Sequence, residues 1–281
     1  MKLGLKIDVL TRRGIREGVP RLVALLTRYQ ARATFFFTLG PDHALGRSWL
    51  PGARIGERYR KELRAVREGG FEIAIHGFDS ARWTHGAAEA SAEWTTSQMR
   101  LACDSFLEVF DEPPAAHAAA GWQMNRHAYR LTQRLGFRYC SDTRGAFPFV
   151  PMHNAEIIAC PQLPTTLPTL DELIGRGGIT VNDVAERVLG ACAAPPPSGH
   201  VFTLRAEAEG MTLAPVFEDL LAGWQAQGYA PTALGDCMDS IDLAHLPHHN
   251  VIAAVIPGCP RPVALQGDEF LARAPLRATS D

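Results

Sequence analysis

The sequence lacks an excess of charge of either sign: 28 Lys+Arg stand against 30 Asp+Glu, a formal net charge of −2. A nucleic-acid reader carries a basic surplus, so nucleic acid is not an expected partner. Nowhere does an apolar run reach the roughly 18 residues of a membrane span. The opening residues, MKLGLKID, put Lys6 and Asp8 where a secretory leader needs an unbroken apolar stretch. A cytoplasmic protein without a membrane span is therefore expected. Cysteine is sparse, six in 281 residues at 103, 140, 160, 192, 237 and 259, with no Cys-x-x-Cys. Such scattered positions read as ordinary reduced thiols. Also absent are G-x-G-x-x-G after the first strand and G-x-x-x-x-G-K-[ST] anywhere, which removes the common dinucleotide and P-loop sites.

What is present is an ordinary globular composition, 46% hydrophobic and 21% charged, long enough for one large core. Strand and helix patterns alternate. Lys2 to Val9 predicts a strand and Val19 to Tyr29 a helix. The Phe35-Phe36-Phe37 run within 33–39 suits a buried strand. A helix over 54–68 stops at Gly69-Gly70, and a strand follows over 71–76. A long helix spans 87–110. Asn125 is a candidate N-cap for a helix to Leu135. Further strands are expected at 117–120, 138–141, 156–160, 200–206 and after Gly228. Helices are expected at 182–193 and 214–227. Seven or eight strands interleaved with helices mean a parallel α/β sheet, open or closed into a (β/α) barrel. One domain over 1–245 is expected, with 246–281, dotted with Pro247, Pro257, Pro260 and Pro262, as an irregular extension.

Ligands in such folds bind beyond the carboxyl ends of the strands. Asp8, His76, Asp142 and Arg205 with Glu207 all fall at predicted strand ends. Any one of them alone is most simply a cap or loop residue. Five from distant segments on one rim make a candidate site.

Several stretches also resemble the polysaccharide deacetylase (NodB-homology) superfamily, closest to its branch that deformylates lipid-linked 4-deoxy-4-formamido-arabinose. They are Ile7-Asp8-Val9 with 16–22, Phe35-Phe36, Gly40-Pro41-Asp42, 119–122, 139–145, 163–169, Ala206-Glu207 and Glu209-Gly210. The resemblance implies a distorted barrel of about seven parallel strands and hydrolysis of an N-acyl group with a divalent metal. It also implies roles for particular positions. The base falls on Asp8 and one metal histidine on His76. The metal aspartate falls on Leu10, the second metal histidine on Ser80 and the general-acid histidine on Arg205. Arginine keeps its proton at any working pH and cannot shuttle it. The stretch between Pro41 and Arg60 looks shorter than in the lipid-linked deformylases.

The expected site therefore has Asp8, His76, Arg205 and Asp142 as its chemical groups. Gly121, Trp122, Arg144, Thr166 and Glu207 are expected around a small-molecule, amino-sugar-like ligand. Arg205 is expected to point inward and pair with Asp8, Asp142 or Glu207. No bound metal is expected, with a divalent ion such as zinc as the alternative. Three readings stay open: a metal-independent relative or pseudoenzyme that keeps the pocket, an amide hydrolase with a non-standard metal set, and a binding or scaffold protein. The sequence carries no signature of oligomeric state.

Overall fold

The computed structural model describes residues 1–42, 54–194 and 196–271. Seven strands form one all-parallel curled sheet: β1 (Lys2–Val9), β2 (Thr34–Phe37), β3 (Glu72–Ile75), β4 (Ala116–His117), β5 (Tyr139–Cys140), β8 (His200–Arg205) and β9 (Ala230–Thr232). Their order is β5-β4-β3-β2-β1-β8. β8 lines one edge of β1 from Leu3 to Asp8, while β9 and β2 share the other edge, at Lys2–Gly4 and Lys6–Val9. The gap between β5 and β8 is spanned by the 162–167 segment. Leu163 N donates to Cys140 O and Thr166 N to Val201 O. The expected barrel of about seven parallel strands is the observed one.

The period of two along each strand sorts residues between two cores. Leu3, Leu5, Ile7, Val9, Phe35, Phe37, Ile73 and Ile75 pack outward with the helices. Phe36, Ala74, Ala116, Ala118, Tyr139 and Val201 fill the barrel interior. The alternation that sends Ile7 outward sends Lys6 and Asp8 inward. The same rule turns Thr38, His76, Thr203 and Arg205 to the inner side. The helix Leu234–Met238 covers the other end of the barrel, where Gly235 N donates to Glu72 Oε2 and Leu234 N to Thr34 Oγ1.

Two expectations are corrected. The 156–160 segment is not a barrel strand, and 246–281 is not irregular where it is described. A second, four-stranded sheet runs β11-β10-β6-β7, built from β6 (Val150–His153), β7 (Glu156–Ile157), β10 (His248–Ala254) and β11 (Val263–Glu269). Pro247, Pro257, Pro260 and Pro262 lie outside β10 and β11 and flank them, whereas Pro151 sits within β6. The helix expected over 54–68 is two, Ile55–Arg58 and Arg60–Glu68, and the long one begins at Ala92 after a single 3₁₀ turn over Ala87–Glu89. Most of the 41–60 connection, expected to be short, lies outside the described residues. Cys140 and Cys160, distant in sequence, meet with their sulfurs 3.5 Å apart, both unoxidised and fully buried.

Candidate functional site

Asp8 and His76 reach the same cavity because β1, β2 and β3 lie in register, with Asp8 beside Phe36 and Phe36 beside Ala74. One residue pair further on, His76 N donates to Phe37 O. His76 Nε2 lies 3.3 Å from Asp8 Oδ2. On its other side the ring presents Nδ1 to two hydroxyls, Thr38 Oγ1 and Ser80 Oγ, each at 3.5 Å. The two hydroxyls also contact each other. The cavity above has a volume of about 260 Å³ and is lined among others by Asp8, Leu10, His76, Thr84, Trp122 and Glu209.

Beneath it lies a group the sequence reading passed over. Lys6 is fully buried, with Nζ 3.5 Å from Asp8 Oδ2 and 5.2 Å from the centre of the Trp122 ring. Burial pushes its amine below the ordinary value, against the pull of Asp8 and Asp142. Burial alone would raise the Asp8 carboxyl. Lys6 first, then His76, outweigh that and hold it below its ordinary value. The signal was available: Lys6 precedes Asp8 by two residues and so shares its face of β1. Glu209 was missed as well. It is 2% exposed, lines the cavity and accepts a hydrogen bond from Arg205 N. Burial pushes its carboxyl up to about 7. Its sequence position, four residues past the end of β8, gave no hint of the turn that folds it inward.

Of the expected residues, Gly121 and Trp122 line the cavity with Asp8 and His76. Both adopt positive φ, +62° and +53°, a conformation that glycine takes freely and tryptophan rarely. This left-handed turn sets the Trp122 ring between two cations, Lys6 and Arg144, the Arg144 guanidinium carbon lying 5.0 Å from the ring centre. Arg144 also donates to Glu172 at 2.8 Å and to Leu167 O at 3.0 Å. Arg144 and Thr166 line a separate, adjacent depression. The Thr166 hydroxyl accepts from Val201 N and meets His200 Nδ1, so it is engaged with the edge of β8.

Three placements differ from expectation. Arg205 does not pair with Asp8, Asp142 or Glu207. Its half-exposed side chain reaches Asp171 at the cavity mouth, 3.1 Å away, because the short helix Leu170–Leu173 brings that acid to the end of β8. Asp142 has no part in the cavity lining. It is fully buried, bonded to His117 Nδ1 at 2.8 Å and to Gln162 Nε2 at 3.2 Å. Glu207 holds the loop after β1, its Oε1 accepting from Leu10 N, Thr11 N and Thr11 Oγ1. Positive charge at the Asp8 floor comes from Lys6, not Arg205.

Comparison with known proteins follows the same line. A sequence profile for polysaccharide deacetylase matches residues 5–140. A probable 4-deoxy-4-formamido-L-arabinose-phosphoundecaprenol deformylase of Shewanella sediminis is 30% identical over 250 residues, covering 78% of this chain and 80% of that protein. One of the same description from Wigglesworthia glossinidia brevipalpis is 25% identical over 276 residues, covering 87% and 95%. Among solved structures, one from Mycobacterium smegmatis assigned to the polysaccharide deacetylases superposes with a TM-score of 0.66 at 17% identity, over 91% of this chain and 94% of that one. A pseudoenzyme of the CE4 family from Bacillus anthracis superposes at 0.56 with 13% identity, over 89% and 69%. Barrel, strand-end cavity and relatives agree: the chain belongs to the polysaccharide deacetylase family, on the branch of the formamido-arabinose deformylases.

Proposed function

We propose that this chain is a metal-independent member of its family that keeps a pocket for one polar, amino-sugar-like ring. The observation that carries the reading is the buried Lys6–Asp8–His76 cluster. Asp8 Oδ1 is buried without a hydrogen-bond partner, and His76 Nε2 and Lys6 Nζ, equally buried, have only their ion-pair contacts with Asp8 Oδ2. Unsatisfied polar atoms at a cavity floor cost free energy that a ligand offering both donors and acceptors recovers. The volume, about 260 Å³, falls below the roughly 300–1,000 Å³ of drug-sized pockets and suits a single sugar ring.

The donor set does not fit a divalent ion. A specific zinc site takes at least three protein ligands. Here Leu10 and Ser80 stand at two of the positions where the resemblance puts ligands, and the Ser80 hydroxyl faces Thr38. The Asp8 oxygen nearest His76 already faces the Lys6 ammonium. Among the described residues, the His, Cys and acidic side chains that converge as a group of three are His117, Cys140 and Asp142, outside this cavity.

The relatives' names supply the ligand class, an amino sugar carrying a formyl group on nitrogen. Elemental analysis of chelator-free protein tests the first half of the reading. Well under one zinc, nickel or cobalt per chain is expected, with no change in melting temperature on adding EDTA. Thermal shift with free and N-formylated 4-amino-4-deoxy-arabinose tests the second. A saturable rise is expected, abolished in Asp8→Asn. One ion per chain, or no response to either sugar, overturns it.

A further inference from the structure

We propose that Ser80 is an acyl-accepting nucleophile, served by His76 and Asp8 as a hydroxyl–imidazole–carboxylate relay. The inference rests on the metal-independent reading and adds a reaction to it. His76 stands between the other two, with Nε2 3.3 Å from Asp8 Oδ2 and Nδ1 3.5 Å from Ser80 Oγ. The Asp8 charge favours the tautomer with its proton on Nε2. The Nδ1 lone pair then faces the hydroxyls, as a general base must. Separations of 3.5 Å are long for a hydrogen bond, as catalytic contacts often are before substrate draws them together.

Two hydroxyls reach Nδ1, and burial separates them. Thr38 is 1% exposed at the end of β2. Ser80 is partly exposed and opens the helix Ser80–Gly86. Thr84 lies one turn further along that helix, on the face that Ser80 shares, and it lines the cavity. Ser80 is the less buried of the two hydroxyls, it borders the cavity through Thr84 rather than lining it, and Thr38 contacts it.

The reaction is amide hydrolysis through an ester. Ser80 Oγ forms a bond to the carbonyl carbon of an N-formyl or N-acetyl group, and its proton passes to His76 Nδ1. His76 returns that proton to nitrogen as the C–N bond breaks and the free amine leaves. Water then attacks the acyl-Ser80 ester, again through His76, releasing the carboxylic acid and restoring the hydroxyl. Asp8 remains a carboxylate throughout and stabilises the transient imidazolium.

The test uses the full chain in EDTA, with p-nitrophenyl acetate and a fluorophosphonate as probes. Intact mass and peptide mapping follow the adduct. One adduct per chain, on Ser80, is expected, with labelling reduced at least tenfold in Ser80→Ala and in His76→Asn. Unchanged melting of Ser80→Ala shows that the loss is chemical. Labelling that persists in Ser80→Ala, or a wild-type chain inert to both probes, overturns the relay. A metal-free, sugar-binding chain with an inert Ser80 leaves the pocket reading standing and removes only the relay. A stoichiometric ion removes the reading beneath both.

Discussion

A lysine ammonium inside a barrel needs a carboxylate nearby, and Lys6 has Asp8 at 3.5 Å. With its pKa held below 3.8, Asp8 contributes stability that is present above the unfolded value and is lost as pH falls through the lowered one. Lys6→Met removes the dominant lowering influence and leaves burial to push the Asp8 carboxyl up. The variant then loses stability as pH rises. Urea unfolding should give a small deficit near pH 4 and about 3 kcal/mol near pH 7, the low end for breaking a buried pair. Lys6→Met with Asp8→Asn should recover most of it. A deficit equal at both pH values would show that packing, not charge, dominates. Glu209 carries the opposite sign. Its carboxyl, pushed from 4.5 to about 7, binds a proton in the folded chain that the unfolded chain has released. Stability from this group is full below about 4.5 and falls until pH passes 7. Glu209→Gln keeps an oxygen for Arg205 N and loses that dependence. It should gain on the parent by up to about 3 kcal/mol between pH 5 and pH 8. Asp8 and His76 were legible because strand ends meet at a rim, a rule of topology. Lys6 was equally open to the period-two rule. The direction of Arg205 was not legible, because it is set by where the one-turn helix Leu170–Leu173 carries Asp171, and a helix that short leaves no periodicity to read.

Elements with regular spacing were read closely. The predicted cap shows why: Asn125 accepts from His127 N and Ala128 N at 2.9 and 2.8 Å, and the helix runs Arg126–Arg134. The same side chain donates to Ala87 O and Thr95 Oγ1, tying the helix start to two other segments. Asn125→Ala therefore loses a cap and two buried bonds. Chemical denaturation should show a cost of about 2–3 kcal/mol, above the typical cap value of about 1. Asn125→Asp keeps the cap acceptor but sets a buried carboxylate oxygen against Ala87 O, so its cost should equal or exceed that of the alanine variant. A cost below about 0.5 kcal/mol for the alanine variant would mean that water replaces these contacts. The second sheet escaped the sequence reading for a related reason. Its strands at 248–254 and 263–269 have no clean alternation, since most of their residues are half-buried or exposed and neither strand has one regularly buried face. Four prolines nearby looked like breakers, yet Pro247 precedes one strand and Pro257 to Pro262 form the turn before the next.

At the scale of the whole molecule, the 246–271 segment bears on the site through backbone bonds. Arg144 N donates to Ala264 O and Gln266 N to Arg144 O, both at 2.8 Å, so β11 pairs with the residue that flanks Trp122. Gln123, next to Trp122, donates to Pro262 O at 2.7 Å. His248 to Asn250 pair with Val150 to Met152, and His249 lies edge-on against the fully buried Phe149. Removing residues 247–281 would uncover Phe149, leave an edge of β6 unpaired and free both neighbours of the Trp122 turn. An open edge beside an exposed aromatic ring is an aggregation hazard. Truncation after Leu246 should therefore lower the melting temperature by about 6–12 °C, from a loss of roughly 3 kcal/mol at the 2–4 °C per kcal/mol expected for this size. The response to amino sugars should fall with it, and light scattering should rise on heating. A detachable appendage predicts something different: the same melting temperature, the same sugar response and a single unchanged unfolding transition. Calorimetry of the two chains at equal concentration distinguishes the cases. An unchanged truncated chain would mean that the barrel alone positions Trp122 over Lys6.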